Sequence, residues 1–146
     1  MINAYYLYAL ARFFYKLRIP LLPKIIKAIM FMLYNSSIPY QAEIGKGSRF
    51  GYGGIGVVIH NRVKIGKNVM IGSNVTIGGR TVGGKSGFYG VPVIKDHADL
   101  GTGCKILGDI TIGEYAEIGA NAVVLKDVPP YGVAVGVPAR VIKIRS

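Results

Sequence analysis

Large apolar residues recur every six residues through most of the chain, and this spacing constrains the fold more than any other feature. The repeated positions are Ile44, Phe50, Ile59, Ile65, Ile71, Ile77, Ile94, Leu100, Ile106, Ile112, Ile118 and Val124. A spacing of six fits neither the helical period of 3.6 nor simple strand alternation. A repeat this short is typical of solenoids, in which each unit packs on its neighbours.

Each six-residue unit predicts a short strand followed by a turn, and three consecutive units predict one triangular coil. The large apolar residue is expected to point into the prism. A smaller residue four positions later is also expected to point inward, at Val63, Val69, Val75, Ala98, Cys104, Ile110, Ala116 and Ala122. Glycine or asparagine is expected to permit the corners. The spacing predicts parallel strands, but it does not specify the hand of the coil.

Two breaks interrupt the repeat. Phe50 and Ile59 are separated by more than one unit, around the sequence GYGGIGVV at 51–58. Ile77 and Ile94 are separated by nearly three units, and the intervening segment contains six glycines. Long loops in compact domains are usually functional or disordered. His60, one of two histidines in the chain, lies beside the first break.

The segment 1–40 lacks the repeat and predicts a helical segment that precedes a rod at 41–146. The stretch 3–18 predicts one helix with Asn3 as its N-cap. The stretch 23–34 predicts a second helix with Pro23 in its first turn. Apolar residues of the first helix that share a face are Tyr6, Leu10, Phe13, Phe14 and Leu17.

Both predicted helices are apolar around most of their circumference. We expect them to pack on the rod or on a partner subunit, or to make a peripheral membrane contact through the segment 1–34. The segment 1–42 carries five cations and no acid, which suits anionic headgroups. No uncharged apolar run approaches the ~20 residues of a bilayer span. Charges and prolines also interrupt any signal-peptide pattern.

The net charge and the number of cysteines limit which binding partners and which cellular compartment we expect. The net charge of +11 attracts polyanions, but the basic residues form no single run and no nucleic-acid motif, so we expect no nucleic-acid partner. Cys104 is the only cysteine, which excludes a disulfide within the chain and favours the cytoplasm, with the inner face of the membrane as an alternative. Two histidines cannot form a three-histidine zinc site in one chain, and we expect no metal.

Three patterns carry a resemblance to a known family. They are units of the form aliphatic-Gly-x-x-x-x, the sequence GVPVI after the long break, and GANAVVLKDVPPYGVAVGVPARVI near the C-terminus. The segment 41–144 thereby resembles the hexapeptide-repeat acyltransferases, in the branch of serine acetyltransferases and of enzymes that O-acetylate bacterial surface sugars. The resemblance implies a left-handed parallel β-helix, here preceded by two short α-helices. It also implies a homotrimer that binds acetyl-CoA in the cleft between neighbouring prisms.

The resemblance further implies residues that bind the coenzyme. The residues matching the family's pantetheine-binding turns are Gly78, Gly79, Gly101, Thr102, Gly119 and Ala120. Arg140 and Lys143 are candidates for the CoA phosphates, with a solvated tail as the alternative interpretation.

Acetyl transfer in this family needs a base that removes a proton from the acceptor hydroxyl, and histidine suits that task. The two histidine positions of serine acetyltransferases match Tyr52 (or Gly53, by a one-residue shift) and Val91 here. His60 is therefore the remaining candidate base, with a hydrogen-bonding role in the cleft or an inert surface position as alternatives. Tyr52 is a candidate to orient the acceptor, because a phenol is a poor base at neutral pH. His97 is expected to be solvated surface.

These observations favour an acetyl-CoA-dependent O-acetyltransferase. The expected acceptor is a hydroxyl of a sugar in a bacterial surface polysaccharide or its precursor, either a small molecule or a lipid-linked sugar. Serine is the alternative acceptor, although serine acetyltransferases carry a larger helical region than the segment 1–40 found here. A non-catalytic trimeric β-helix that binds CoA or serves as a scaffold is the alternative from another class, because both usual histidines are missing.

Overall fold

The computed structural model describes residues 2–81 and 90–146; most of the predicted long loop, at 82–89, lies outside the described residues. Two helices open this part of the chain, α1 (Ala4–Lys16) and α2 (Leu22–Tyr34). Short strands follow, namely β1 (Glu43–Ile44), β2 (Arg49–Phe50), β3 (Val58–Ile59), β4 (Lys64–Ile65), β5 (Met70–Ile71), β6 (Thr76–Gly78), β7 (Val93–Ile94), β8 (Asp99–Leu100), β9 (Lys105–Leu107), β10 (Thr111–Ile112), β11 (Glu117–Ile118), β12 (Val123–Val124), β13 (Gly132–Val135) and β14 (Arg140–Ile144).

The strands form three sheets, one on each side of a prism. Sheet 1 has the order β1-β4-β7-β10, sheet 2 the order β2-β5-β8-β11-β13-β14, and sheet 3 the order β3-β6-β9-β12. All pairs are parallel except β13 with β14, which is antiparallel. The chain visits the three sheets in turn, so that three strands make one coil. We call the turns after sheets 1, 2 and 3 corner 1, corner 2 and corner 3.

The register and the burial confirm the predicted coil. Ile106 lies opposite Val124, which is three units further along the chain. Phe50 lies opposite Ile71, and this coil is longer than three units because the first break inserts extra residues. Every large residue of the repeat is buried, and so is each smaller residue four positions later. The stacked coils therefore share one apolar interior.

Cys104 occupies one of the small inward positions and is fully buried. Burial raises the pKa of the Cys104 thiol to about 12. The thiol is therefore protonated at neutral pH and packs as a small apolar group, which confirms its prediction as a core residue.

Glycine is required after the large residues for a different reason from the one predicted. A Cβ on Gly101 would lie 2.6 Å from the Ile118 carbonyl oxygen in the next coil, and one on Gly66 would lie 2.2 Å from Asp96 Oδ1. Close approach between coils, rather than a left-handed backbone, therefore requires these glycines. Positive φ angles occur further along each corner, at Asn68, Asn74, His97, Gly103, Tyr115, Asn121 and Tyr131.

The helices begin and end where the sequence signals place them. The Asn3 side chain caps α1 by accepting a hydrogen bond from the Tyr5 backbone N–H at 3.2 Å. Pro23 lies in the first turn of α2, where its missing N–H costs little. Asn35 ends α2 with a left-handed backbone, φ +50°.

The apolar face predicted for α1 is not the face that α1 buries. Ala4, Tyr8 and Ala11 are the buried residues of α1, whereas most of the predicted face is exposed, at Tyr6, Leu10, Phe13 and Leu17. α1 therefore packs on the rod, as expected, through Ala4 and Tyr8, and the rod of the same chain leaves most of the predicted face uncovered. Among the described residues, neither helix combines the length and hydropathy required to cross a bilayer.

Residues of the helical segment cover the first strands of sheets 1 and 3. The Tyr8 hydroxyl donates to the Ala42 carbonyl and accepts from the Ile44 backbone N–H at 3.0 Å. Ser37 pairs with Val58 in a parallel bridge beside sheet 3. The backbone polar groups at these edges are thereby satisfied without a further strand.

Candidate functional site

The predicted site residues divide between two corners of the prism and the last strand. Corner 2 carries Tyr52, Gly101, Thr102, Gly119 and Ala120. Corner 3 carries His60, Gly78 and Gly79. Tyr52 and His60 belong to the same coil but stand at different corners. Arg140 and Lys143 lie on β14.

The first break in the repeat forms a bulge at corner 2. Gly51–Gly54 make a short 3-10 turn in which Tyr52 (φ +50°) and Gly53 (φ +77°) have a left-handed backbone. Tyr52 is the only residue of this turn with a side chain, and it is 81% exposed. The inserted residues therefore project one phenol away from the rod.

The start of α1 fixes both ends of this bulge. The Asn3 amide donates from Nδ2 to the Phe50 carbonyl at 2.7 Å and accepts at Oδ1 from the Phe50 N–H at 3.3 Å. At the far end, a Cβ on Gly54 would lie 2.8 Å from the Ala4 Cβ. Asn3 thus caps a helix and clamps the strand that leads to Tyr52. The sequence signal for a cap gave no indication of this second role.

His60 is half-buried at corner 3, and its backbone N–H donates to the Ile77 carbonyl of the next coil at 2.9 Å. Its Nδ1 accepts a hydrogen bond from the Arg62 backbone N–H at 3.1 Å. An accepting Nδ1 carries no proton, so the neutral ring has its proton on Nε2. In this tautomer Nε2 is a hydrogen-bond donor rather than a base.

Gly78 follows Ile77 and differs from the equivalent glycines at corner 2. A Cβ on Gly78 would meet no atom of the described residues within 4 Å, whereas one on Gly119 would lie 2.8 Å from Val135 Cγ1. The described residues therefore leave the space beside Gly78 unfilled, and Gly79 next to it is exposed. Close packing between coils accounts for glycine at Gly101 and Gly119 without a ligand.

The exposed residues of corner 2 form a short row. Thr102 and Ala120 are exposed in successive coils, and the Asn121 N–H donates to the Thr102 carbonyl at 2.9 Å. This backbone contact holds the two turns in register. Corner 2 therefore presents small side chains and accessible backbone below the Tyr52 bulge.

A basic groove lies where corner 3 meets the C-terminal strand. Arg80, Lys126 and Arg140 line a cavity of about 230 Å³, and none of its lining residues is acidic. Guanidinium and ammonium groups in this arrangement suit phosphate groups. Lys143 lies on the same strand outside the groove, paired with Val133. Arg140 and Lys143, the two predicted basic residues, thus belong to an ordered strand rather than a free tail. The sequence analysis did not identify Arg80 and Lys126 as members of this groove.

His97 is exposed, as predicted, but it is not isolated. Its ring stacks on Tyr115 with 4.6 Å between centroids, and Tyr115 stacks on Tyr131 at 5.0 Å. These residues occupy corner 1 in successive coils, and each has a left-handed backbone. The stack joins three coils and lies away from corners 2 and 3.

The acidic side chains do not build a metal site. Within residues 2–81 and 90–146, no group of three or more His, Cys, Asp and Glu side chains is placed to hold a metal ion. Asp99 lies opposite Glu117 on sheet 2. Burial raises the pKa of Asp99, the Glu117 carboxylate raises it further, and Arg145 opposes both effects.

Comparison with known proteins identifies close relatives of this chain, although no protein-family model matches it. The serine acetyltransferase of Bacillus pumilus (strain SAFR-032) is 39% identical over 143 residues, which cover 97% of this chain and 63% of that protein. The chain thus spans less than two thirds of the length of the curated relatives it matches.

Comparison with solved structures also finds serine acetyltransferases. A serine acetyltransferase from Brucella abortus strain S19 in complex with coenzyme A superposes with a TM-score of 0.87 at 31% identity, over 98% of this chain and 56% of that chain. A soybean serine acetyltransferase complexed with serine gives a TM-score of 0.83 at 38% identity, over 93% of this chain and 54% of that one.

The fold is a left-handed parallel β-helix preceded by two α-helices, as predicted from the resemblance. In both sequence and fold, nearly the whole chain is thus similar to serine acetyltransferases, which are hexapeptide-repeat acyltransferases.

Proposed function

We propose that the chain is an acetyl-CoA-dependent O-acetyltransferase that acts as a homotrimer. The observation that carries the proposal is the superposition of 98% of the chain on a serine acetyltransferase that holds coenzyme A. The active site would lie in the cleft between two prisms, where corner 3 of one chain faces corner 2 of its neighbour.

Corner 3 supports a specific placement of the coenzyme. The side of Gly78 that the described residues leave unfilled would admit the pantetheine arm beside His60. The groove of Arg80, Lys126 and Arg140 at the same corner would bind the CoA phosphates. The exposed row of Thr102 and Ala120 in the neighbouring chain would form the opposite wall, as the family resemblance implies.

The reaction forms a C–O ester bond and breaks the thioester C–S bond. The acceptor oxygen attacks the carbonyl carbon, and the C–S bond breaks with its electron pair on the sulfur. The proton of the acceptor hydroxyl passes through water to the departing CoA thiolate, so the reaction releases the ester and the CoA thiol. With its proton on Nε2, His60 would donate a hydrogen bond to the carbonyl oxygen as negative charge develops there. Tyr52, projected from corner 2 of the neighbour, would orient the acceptor hydroxyl.

Serine is the acceptor that the comparisons favour, because the relatives found at 34–39% identity are serine acetyltransferases. The surface-sugar acceptor expected from the sequence receives no support from them. One observation retains a sugar as a second candidate. Tyr52 and Val91 occupy the two usual histidine positions, so the acceptor end of this site differs from that of the serine enzymes.

The acceptor is tested by measuring CoA thiol release from acetyl-CoA with serine and with a panel of sugars. Release that depends on serine supports the first acceptor, and release that depends only on a sugar supports the second. If the chain binds CoA but transfers acetyl groups to no acceptor, the proposal fails and the scaffold alternative replaces it.

Two substitutions distinguish the roles of His60. Loss of a donor to a developing oxyanion typically lowers kcat by about 10²–10³, so we expect this loss for His60→Ala. His60→Gln keeps a donor group and should recover most of kcat, whereas equal loss in both variants would identify His60 as the base. His97→Ala is the matched control, because His97 lies at corner 1 and should not affect kcat.

A further inference from the structure

The helical segment exposes an apolar surface that the rod leaves uncovered. More than half of the large apolar residues exposed in the described part of the chain lie in the segment 1–34. We define the helical face by the exposed stripes of the two helices, at Tyr6, Leu10, Phe13 and Leu17 of α1 and Ile25, Ile29, Met32 and Leu33 of α2. Exposed apolar surface of this extent marks an interaction site.

Every charge on this segment is positive. The cations are Arg12, Lys16, Arg18, Lys24 and Lys27, and no acid occurs before Glu43. Arg12 is engaged internally, because its guanidinium donates to the carbonyls of residues 40–42. The other four cations lie in the same segment of the chain as the helical face. The surface therefore combines apolar side chains with cations and no anions. This composition is complementary to a lipid bilayer whose headgroups are anionic.

A groove beside α2 combines the same two properties. It has a volume of about 480 Å³, and its lining includes the cations Lys24 and Lys27 and the apolar residues Phe31 and Met32. Ser36 also lines it, and its buried hydroxyl has no hydrogen-bond partner among the described residues. Because that hydroxyl is fully covered, the groups of this groove that can bind an anionic phosphate are the ammonium groups of Lys24 and Lys27.

We propose that the helical face docks the protein on a membrane that contains anionic phospholipids, with a lipid phosphate in the groove lined by Lys24 and Lys27. The apolar stripes enter the boundary between headgroups and acyl chains, and the helices lie in the plane of the surface. Contact of this face with the same face of a second copy would bring cations against cations, so the charge favours lipid over self-association. The proposal does not depend on acetyl transfer.

Vesicle co-sedimentation of the full chain, without acetyl-CoA, tests the docking. We expect at least about tenfold tighter binding to mixed phosphatidylcholine and phosphatidylglycerol vesicles than to phosphatidylcholine alone, with the advantage lost at high salt. The double variant Lys24→Glu/Lys27→Glu should lose the preference. Lys46→Glu/Lys67→Glu makes the same charge change at corner 1 and should keep it. Equal binding to the two vesicle types would overturn the proposal.

A second pair of variants tests the apolar stripes. Leu33 and Ile144 are both 63% exposed, one on the helical face and the other on β14. Leu33→Glu should reduce binding to the mixed vesicles by about tenfold or more, whereas Ile144→Glu should not change it. Circular dichroism verifies that each variant is folded. If the chain binds no vesicles and instead self-associates in a way that Leu33→Glu abolishes, the helical face belongs to a second copy and the proposal is wrong.

Discussion

The rod and the helical segment bury apolar residues in opposite ways. In the rod, the large apolar residue that recurs in each six-residue unit points inward and is covered by the neighbouring coils. In α1 the buried residues are Ala4, Tyr8 and Ala11, while larger apolar side chains such as Leu10 and Phe13 are exposed. The rod supplies its own partner surface, because each coil repeats the last. A helix does not repeat in this way and needs another surface to cover its apolar face. The uncovered face is therefore where we propose that the protein contacts a membrane.

The largest expected difference between the two regions is in stability. Ile106 is fully buried, so Ile106→Ala should lower the free energy of unfolding by about 2–5 kcal/mol. Leu33→Ala removes a comparable volume from the helical face and should change it by less than about 0.5 kcal/mol. Urea denaturation at a fixed protein concentration measures both. Similar losses would mean that the helical face is covered in solution.

A pair of glycine variants sharpens the comparison within the rod. The Cβ of Gly101→Ala would collide with the next coil, and we expect a loss of about 1–3 kcal/mol. The Cβ of Gly78→Ala would meet no atom of the described residues within 4 Å, so this variant should leave the melting temperature nearly unchanged. If the coenzyme lies where we propose, Gly78→Ala should instead raise KM for acetyl-CoA. Equal destabilisation of the two variants would refute the contrast drawn from close approach.

The contact between the two regions is tested at Asn3. Asn3→Ala removes the cap of α1 and should cost about 1 kcal/mol. It also removes both hydrogen bonds to Phe50, so the Tyr52 bulge should be held less firmly and kcat should fall without a change in KM for acetyl-CoA. Asn3→Asp keeps the acceptor for the cap but loses the donor to Phe50. A normal kcat in both variants would show that α1 does not position the bulge.

The smallest expected effect concerns the charge on the rod surface. The raised pKa of Asp99 means that its ionised form destabilises the folded state, and this cost grows as the pH rises from the ordinary value of 3.8 through the raised pKa. Asp99→Asn should therefore raise the melting temperature slightly at neutral pH, and the gain should disappear below pH 3.8. Thermal melts across this range measure it. Glu114→Gln, a change at an exposed carboxyl of corner 1, should show no such gain.

The architecture of the rod could be predicted because each unit carries the same information. Ile65 and Ile106 need no long-range knowledge to be placed inside, since position in the repeat is enough. The helices show the opposite case. Their periodicity defined an apolar face, but only tertiary contacts determine which face the rod covers.

The candidate site could be predicted only in part, because it depends on contacts between distant residues. His60, Tyr52 and the glycines follow from the pattern and the resemblance. The clamp of Asn3 on Phe50 joins residues 47 positions apart, and no local signal indicates it. The groove of Arg80, Lys126 and Arg140 likewise forms only when corner 3 is stacked in register across the long loop.

Both ends of sheet 2 depart from the repeat, because the Asn3 amide binds β2 at one end and the reversed strand β14 pairs with β13 at the other. A stack of identical coils has no intrinsic length, and an open terminal coil would template the addition of another molecule. The Asn3 side-chain amide and the antiparallel strand β14 interrupt the parallel repeat at the two ends of sheet 2. Without the Asn3 contact, the Phe50 backbone N–H and C=O would be left unpaired at the edge of β2, and unpaired edges of this kind favour pairing with another chain.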